Sequence, residues 1–506
     1  MQFILASGHD LMRNLVFFAD GTWNDNDNPS RITNVNLLWK MCRDADVPES
    51  AQVVKYQTGV GTEGGFISRL TGGAFAKGLD DNIIDAYIWL ASNYKPSDRI
   101  ILIGFSRGAY TVRSLVGMIN SSGFLDLSSD DLSKSAKRKL SEIAFSKYRD
   151  RGRDQSELAG AATHETPDIH FLGCWDTVGA LGIPDEVNII RKWLKPERYR
   201  FNNTKLSDNV VMARHAVSID EQRRAYAPTL WDEAEDENNR DMKQVWFSGV
   251  HANVGGGYAI RDLSDITLTW MIDEAKSAGL LVHPSYKDSL NPKPMGQLED
   301  SHTGFFGKLK SRPRSVPNFH DAGEKIAKEA HVRHQANQGY WATTTLAPDE
   351  SILLEVSSKE QWVRTNLYLE GGATYRFTAH GKWYDAKVAH GPSGTPRNKR
   401  QGGHKIGDFW AKVERRWAGV TAEPSTYSPA RRFEYANWFA LIGVVADGSG
   451  VDQNTNEINE HDTFLIGDEV AKTVARGGYL YCYANDAWKF YFNNKGSVTL
   501  KVERTS

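Results

Sequence analysis

Apolar residues fall in two different rhythms along this 506-residue chain. In the first half, short continuous apolar runs alternate with stretches of helical spacing, the pattern of a mostly parallel sheet covered on both faces. Asn14–Ala19, Gln52–Tyr56, Arg99–Ile103, Ile169–Gly173 and Gln244–Phe247 are predicted strands, and a helix is predicted to begin near Ala109. From Ile352 onward the rhythm shortens to period two. Trp362–Leu367, Thr374–Thr378, Leu480–Tyr483 and Val498–Val502, separated by turn residues, read as strands of an all-β sandwich. The change falls near Leu346–Pro348, so residues 1–350 are predicted to form an α/β domain and residues 351–506 a β-sandwich domain.

Two segments interrupt the first domain. Near 125–165, Leu132, Ala136, Leu140 and Ile143 recur at helical spacing among Lys and Arg. This reads either as a solvated amphipathic helix or as a cap facing an anionic lipid surface. Residues 282–320 hold several prolines and the basic run Lys308–Arg314, and are expected to form an irregular insertion or a lid over the first domain.

Composition narrows the class of protein. Apolar residues make up 40% and charged residues 25%, which excludes a mostly disordered chain. Lys and Arg number 61 against 63 Asp and Glu, a formal charge of −2 that argues against a nucleic-acid partner. Cys42, Cys174 and Cys482 are too few and too scattered for a disulfide framework or a cysteine zinc site, so synthesis in a reducing compartment is expected. The first residues, Met1–Ser7, lack the basic leader of a signal peptide. No stretch reaches the ~18 continuous apolar residues of a membrane span.

Chemistry concentrates at the ends of the predicted strands. Gly104-Phe105-Ser106-Arg107-Gly108 matches G-x-S-x-G between a strand and a helix, which makes Ser106 a candidate nucleophile. A serine needs a histidine to take its proton and a carboxylate to orient that histidine. Asp176 and His251 follow the next two predicted strands, in the order Ser, Asp, His expected of an α/β-hydrolase. His215, read as part of a helical segment, and His331 are rival bases, and Asp220 is a rival acid. For the oxyanion hole the backbone N–H of Arg107 is one candidate donor, and Gly21 or Thr22 after the first strand supplies the other. Asp20 reads alternatively as a metal ligand or a turn residue.

Five stretches then carry a resemblance: Phe18–Asn24, Gly59–Thr62, Gly104–Ala109, Trp175–Gly179 and Gly249–Tyr258. In that order they resemble an α/β-hydrolase family that includes type VI secretion phospholipase effectors. The resemblance implies a triad of Ser106, Asp176 and His251, ester hydrolysis without a catalytic cofactor, and glycerophospholipid as the substrate class. Many members carry aspartate where this chain has Asn253. It further implies synthesis in a bacterial cytoplasm, export by type VI secretion, a secretion-apparatus or immunity partner, and peripheral membrane contact.

The C-terminal part is similar to PA-I-type galactophilic lectins, through Trp438–Gly443, Phe464–Gly467 and Tyr483–Asp486 with Asn493–Ser497. That resemblance implies a calcium ion held by the side chains of Asp486, Asn493 and Asn494 and by the carbonyls of Phe490 and Tyr384, with a glycan as ligand. The family's sugar-contacting histidine segment has no match in His390–Gln401. The leading expectation is therefore a serine ester hydrolase of phospholipase type with a carbohydrate-binding module. The alternatives are a glycan-directed esterase or deacetylase, and a carbohydrate-binding protein whose hydrolase domain is inert. Because every triad and oxyanion candidate lies within 1–350, the first domain is expected to act without the second.

Overall fold

The computed structural model describes residues 12–21, 31–59, 73–149, 158, 160–179, 205–232, 241–304, 306–395, 431–450 and 458–506. Side chains alternate along Asn14–Ala19 (β1), so Leu15 and Phe17 face one way, Val16 and Phe18 the other, and all four are buried. Such a strand must be covered twice. A six-stranded, wholly parallel sheet does this: Gln52–Gln57 (β2), Arg99–Phe105 (β3), Ile169–Trp175 (β4), Met212–Ser218 (β5) and Asp241–Phe247 (β6) join β1 in the order β2-β1-β3-β4-β5-β6.

Among the described residues the helices are Asn34–Arg43 (α1), Gly73–Asn93 (α2), Arg107–Ser122 (α3), Lys134–Arg149 (α4), His251–Gly255 (α5), Ser264–Ser277 (α6) and Lys328–Ala336 (α7). Ile83, Tyr87 and Leu90 of α2, with Val112, Leu115 and Ile119 of α3, pack on Leu15, Phe17, Ile100 and Leu102. On the opposite face Leu38 of α1 and Leu268, Met271 and Ile272 of α6 pack on Val16, Phe18, Ile101 and Ile103. Each such aliphatic side chain contributes roughly 1.5–3 kcal/mol by leaving water. The helices after β1 and β3 lie on opposite faces, so the loops leaving these neighbouring strands diverge. That opens the crevice at the strand C-termini where ligands of such sheets bind.

The second domain is antiparallel. Its strands are Ser351–Ser357 (β7), Val363–Leu369 (β8), Thr374–Gly381 (β9), Trp383–Asp385 (β10), Val388–His390 (β11), Ser393–Thr395 (β12), Trp438–Val445 (β13), Asp462–Leu465 (β14), Glu469–Thr473 (β15), Gly478–Ala484 (β16), Asn494–Lys495 (β17) and Ser497–Arg504 (β18). They form sheets β8-β16-β13-β12, with β14 beside β13, β15-β9-β18-β7, and β11-β10-β17. Between the two larger sheets lies a core that includes Leu367, Tyr375, Phe377, Leu441, Leu480 and Val502. The outer face of β13 and β16 does not meet water. Ile442, Val444, Tyr479 and Tyr481 join the core that lies under the parallel sheet. Tyr479 OH accepts from Phe319 N–H at 3.1 Å and shares a 2.6 Å hydrogen bond with Thr343.

Three expectations change. Met212–Ser218, read as helical around His215, is strand β5. Its polar Arg214 and His215 hid the strand, because both are buried and paired: Arg214 reaches Glu274 at 2.5 Å and Asp241 at 2.8 Å. The amphipathic helix α4 keeps its apolar face inside the protein instead of offering it to lipid. Ala144, Phe145 and Tyr148 are buried in the core with α2 and α3, while Arg138 pairs with Asp81 and Asp85 of α2 and Arg149 with Asp80. Of the two readings of 282–320, the basic end is an irregular, packed insertion and no exposed lid, since Lys310, Arg312 and Arg314 are all buried. All three cysteines are buried free thiols, and among the described residues no helix is long and apolar enough to cross a membrane.

Candidate active site

Ser106 sits between β3 and α3 at φ 57°, ψ −119°, a left-handed-side geometry that a serine adopts only under strain. The flanking glycines make the turn possible. A Cβ on Gly104 would lie 2.5 Å from the Gly108 carbonyl oxygen, and one on Gly108 only 2.0 Å from that of Ala19. The turn therefore presses against the end of β1, and Ser106 stands at the positive end of α3. Arg107 opens α3, in the first turn where N–H groups have no intrahelical acceptor.

Asp176 follows β4 and His251 opens α5, and the two meet: His251 Nδ1 is 2.6 Å from Asp176 Oδ2. Both are buried. With Nδ1 turned to the carboxylate, Nε2 is the nitrogen left for proton transfer. The imidazole also lies against the rings of Phe105 at 4.7 Å and Tyr226 at 4.9 Å, which places it beside the nucleophile turn. No Ser106–His251 hydrogen bond is formed among the described residues. Such bonds often tighten only once substrate is bound.

Electrostatics around the pair are dominated by an arginine that the sequence reading missed. Arg314 donates from Nη1 to Asp176 Oδ1 at 2.6 Å and from Nη2 to Oδ2 at 2.9 Å. Ser218 adds its N–H to Oδ1 at 2.9 Å. Burial alone pushes the Asp176 carboxyl up, but Arg314 and His251 outweigh it and hold the group well below the usual carboxylate range. Burial lowers the His251 pKa against the opposing pull of Asp176, so the ring is neutral at neutral pH. The His251 N–H donates to Glu221 Oε2 at 3.2 Å. Glu221 is in turn ion-paired to Arg223 at 2.7 Å and, despite its burial, drops to about 2.

A pH dependence follows. A general base must be neutral to accept a proton, and His251 holds its neutral form to lower pH than a free imidazole does. The acid limb of kcat/KM for a soluble ester is expected to have its midpoint below pH ~6.5, the ordinary histidine value. A pH–rate profile with its midpoint above that value contradicts the environment described for His251.

The rivals are accounted for structurally. His215 accepts the Thr177 N–H on Nε2 at 3.0 Å and is pushed down to about 3 by burial. Asp220 accepts from Gly249 N–H at 2.7 Å and from Tyr340 and Trp341, both at 2.8 Å. His331 lies on α7 against Phe319. Asn253 caps the short α5 by accepting the Val250 N–H at 3.2 Å. Gly21 adjoins the nucleophile, since a Cβ there would lie 3.3 Å from Ser106 Cβ. Its N–H, however, donates to Asp20 Oδ1 at 2.6 Å, so the oxyanion donor expected from Gly21 is directed elsewhere in this conformation. Asp20 also accepts from the Thr33 and Tyr56 hydroxyls at 2.6 Å, as a carboxylate at the turn after β1. Thr22 and residues 60–62 lie outside the described residues.

In the second domain Asn494 Nδ2 donates to Asp486 Oδ2 at 3.1 Å. Asn493 Nδ2 donates to Asp385, which sequence reasoning passed over one residue beyond Tyr384. Tyr384 pairs with Lys495 across β10 and β17, and the Phe490 carbonyl faces the Asn493 N–H at 3.5 Å. The Oδ1 atoms of Asn493 and Asn494 are buried with no hydrogen-bond partner. Among the described residues no three His, Cys, Asp or Glu side chains cluster as a metal site. The oxygens at hand are the Asp486 carboxylate with amide and backbone carbonyl groups, donor types that a hard cation accepts.

A parallel sheet with a serine on a strained strand–helix turn, and an acid and a histidine at following strand ends, defines an α/β-hydrolase-like domain. The family described as "T6SS, Phospholipase effector Tle1-like, catalytic domain" matches residues 13–274, more than half of the chain, and the chain belongs to that family. The uncharacterized protein YEL023C of Saccharomyces cerevisiae is 30% identical over 230 residues, 42% of this chain and 31% of that protein, so the match spans less than a third of the relative. Two solved structures show looser likeness. The Tle1 effector bound to the VgrG spike from the type 6 secretion system has 13% identity, covering 63% of this chain and 85% of that one, with a TM-score of 0.36. The EclA N-terminal domain, a PllA-like lectin, has 14% identity, covering 30% of this chain and 94% of that one, with a TM-score of 0.18.

Proposed function

We propose that this chain is a serine hydrolase that cleaves a carboxylic ester of a phospholipid. The observation that carries the reading is the buried Asp176–His251 contact at 2.6 Å, beside a serine on a strained turn. In the proposed mechanism Ser106 Oγ attacks the ester carbonyl while His251 Nε2 takes its proton. The Arg107 N–H and the α3 N-terminus face the negative charge that develops on the carbonyl oxygen. His251 then returns the proton to the leaving alkoxide, giving an acyl-serine that water hydrolyses by the same route. Asp176 stays ionised throughout and holds the imidazole. Membership of the phospholipase-effector family supports lipid as substrate and export by type VI secretion, with a secretion-apparatus partner. The alternative, a glycan-directed esterase, shares every one of these groups and differs only in the substrate. Offering the protein short-chain phospholipid and acetylated oligosaccharide side by side separates them: release of fatty acid alone supports the lipase reading, release of acetate alone the alternative.

For the second domain we propose calcium binding by Asp486, Asn493 and Asn494, with the carbonyls of Phe490 and Tyr384, in support of a glycan contact. The ion would supply a hard Lewis-acidic centre for sugar hydroxyls. A ligand that binds only the folded state stabilises it by ~2.7 kcal/mol at a hundred times its Kd. Adding calcium to chelator-treated protein is therefore expected to raise the thermal midpoint of the second domain by roughly 5–10 °C, and Asp486→Ala to abolish the response. An unchanged wild-type midpoint removes the ion from the account.

A further inference from the structure

Arg314 reaches Asp176 from a segment with no helix or strand of its own, Lys310–Val316, so its position is set by what holds it on either side. On the catalytic side, Arg312 N–H donates to the Gln222 carbonyl at 2.7 Å, and the Arg314 guanidinium donates to the carbonyls of Ser218 at 2.8 Å and Tyr226 at 2.7 Å. On the other side every anchor belongs to the β domain. Trp362 Nε1 donates to Ser311 Oγ at 3.1 Å, Arg312 Nη2 to the carbonyls of Gly448 at 3.1 Å and Asn459, and His461 Nε2 to the Pro313 carbonyl at 2.9 Å. His461 Nδ1 in turn accepts the Gly448 N–H at 2.9 Å. The residue before Arg314 and the residue before that are thus both bonded to the β domain.

We propose that Arg314 is the positioning residue of the Asp176–His251 pair, and that the β domain holds it there through Arg312 and His461. The β domain is then a structural part of the hydrolytic site rather than an independent module. The proposal rests on the hydrolase reading above. A bidentate guanidinium fixes the plane of the carboxylate as well as its charge. Asp176 Oδ2 also receives His251 Nδ1, so the same fork that sets the carboxylate plane sets the direction in which Nε2 points. Without the arginine, a carboxylate with no exposed surface loses its compensating charge. It then keeps only Ser218 and His251 as donors, so its plane is held less firmly, and it stabilises imidazolium more strongly.

The test uses the full-length chain as wild type, Ser106→Ala, Arg314→Gln, Arg314→Lys and Arg312→Ala, with fluorophosphonate labelling, soluble-ester kinetics and thermal melts on each. Arg314→Gln is expected to lower kcat about a hundredfold with KM unchanged, as displacement of a catalytic group by an ångström does. Its acid limb should move up by about one pH unit, because a nearby positive charge has been lost. Arg314→Lys keeps the charge but not the fork, so kcat should fall while the acid limb stays in place. Arg312→Ala touches no catalytic group, yet is expected to lower kcat about tenfold. A folded Arg314→Gln with wild-type kcat and pH profile overturns the positioning role, and so does Arg314→Lys with wild-type kcat if the glutamine variant does not fold. A wild-type kcat in Arg312→Ala overturns the part given to the β domain. Wild type that is not labelled at Ser106 overturns the hydrolase reading itself, a failure visible before any arginine variant is compared.

Discussion

Ser106→Ala is expected to lower turnover of a soluble ester by about 10⁶ and to abolish fluorophosphonate labelling, the scale seen when a nucleophilic serine is removed. The size follows from the site's division of labour. Without the hydroxyl there is no acyl intermediate, and His251 has no proton to take. The strained φ of 57° at position 106 is a property of the turn, so the alanine variant keeps the backbone and should melt close to wild type. Undiminished labelling of Ser106→Ala places the reactive group elsewhere.

The second large effect is at Asp176. Asp176→Asn is expected to lower kcat about 10⁴-fold, because an asparagine NH₂ turned to His251 selects the wrong tautomer. It should also destabilise the protein. Arg314 has 3% of its side chain exposed and would lose the carboxylate its fork is bonded to, leaving a buried guanidinium without its ion-pair partner. Breaking one side of a buried pair costs about 3–5 kcal/mol. Ser106→Ala and Asp176→Asn therefore differ in kind: the first should spare the melting temperature and the second should lower it. Differential scanning calorimetry beside the kinetics separates the two. A wild-type melting temperature for Asp176→Asn contradicts the weight given to the Arg314 contact.

Legibility in the sequence followed the range of the interaction. The nucleophile turn was readable because strand, glycines, serine and helix are contiguous. Asp176 and His251 were readable because each closes an apolar run at the same edge of the sheet. Strand β5 was not, since Arg214 and His215 break its apolar run and only the fold supplies their partners, Glu274, Asp241 and Gln244. In the sequence Arg314 is one more basic residue of the run Lys308–Arg314. It lies 138 residues from Asp176, and no local spacing records that contact. The orphaned amide oxygens of Asn493 and Asn494 belong to the same category. Their residue types were readable through a resemblance, but their lack of partners is a property of packing.

The central claim is that Ser106 cleaves phospholipid esters. Vesicles of phosphatidylethanolamine and phosphatidylglycerol, incubated with wild-type protein and with Ser106→Ala, give the most direct test, with products identified by mass spectrometry. The expected result is free fatty acid with the matching lysolipid from wild type and neither from the variant. Intact lipid after exposure to wild-type protein that still reacts with fluorophosphonate at Ser106, or equal release by both proteins, contradicts the claim.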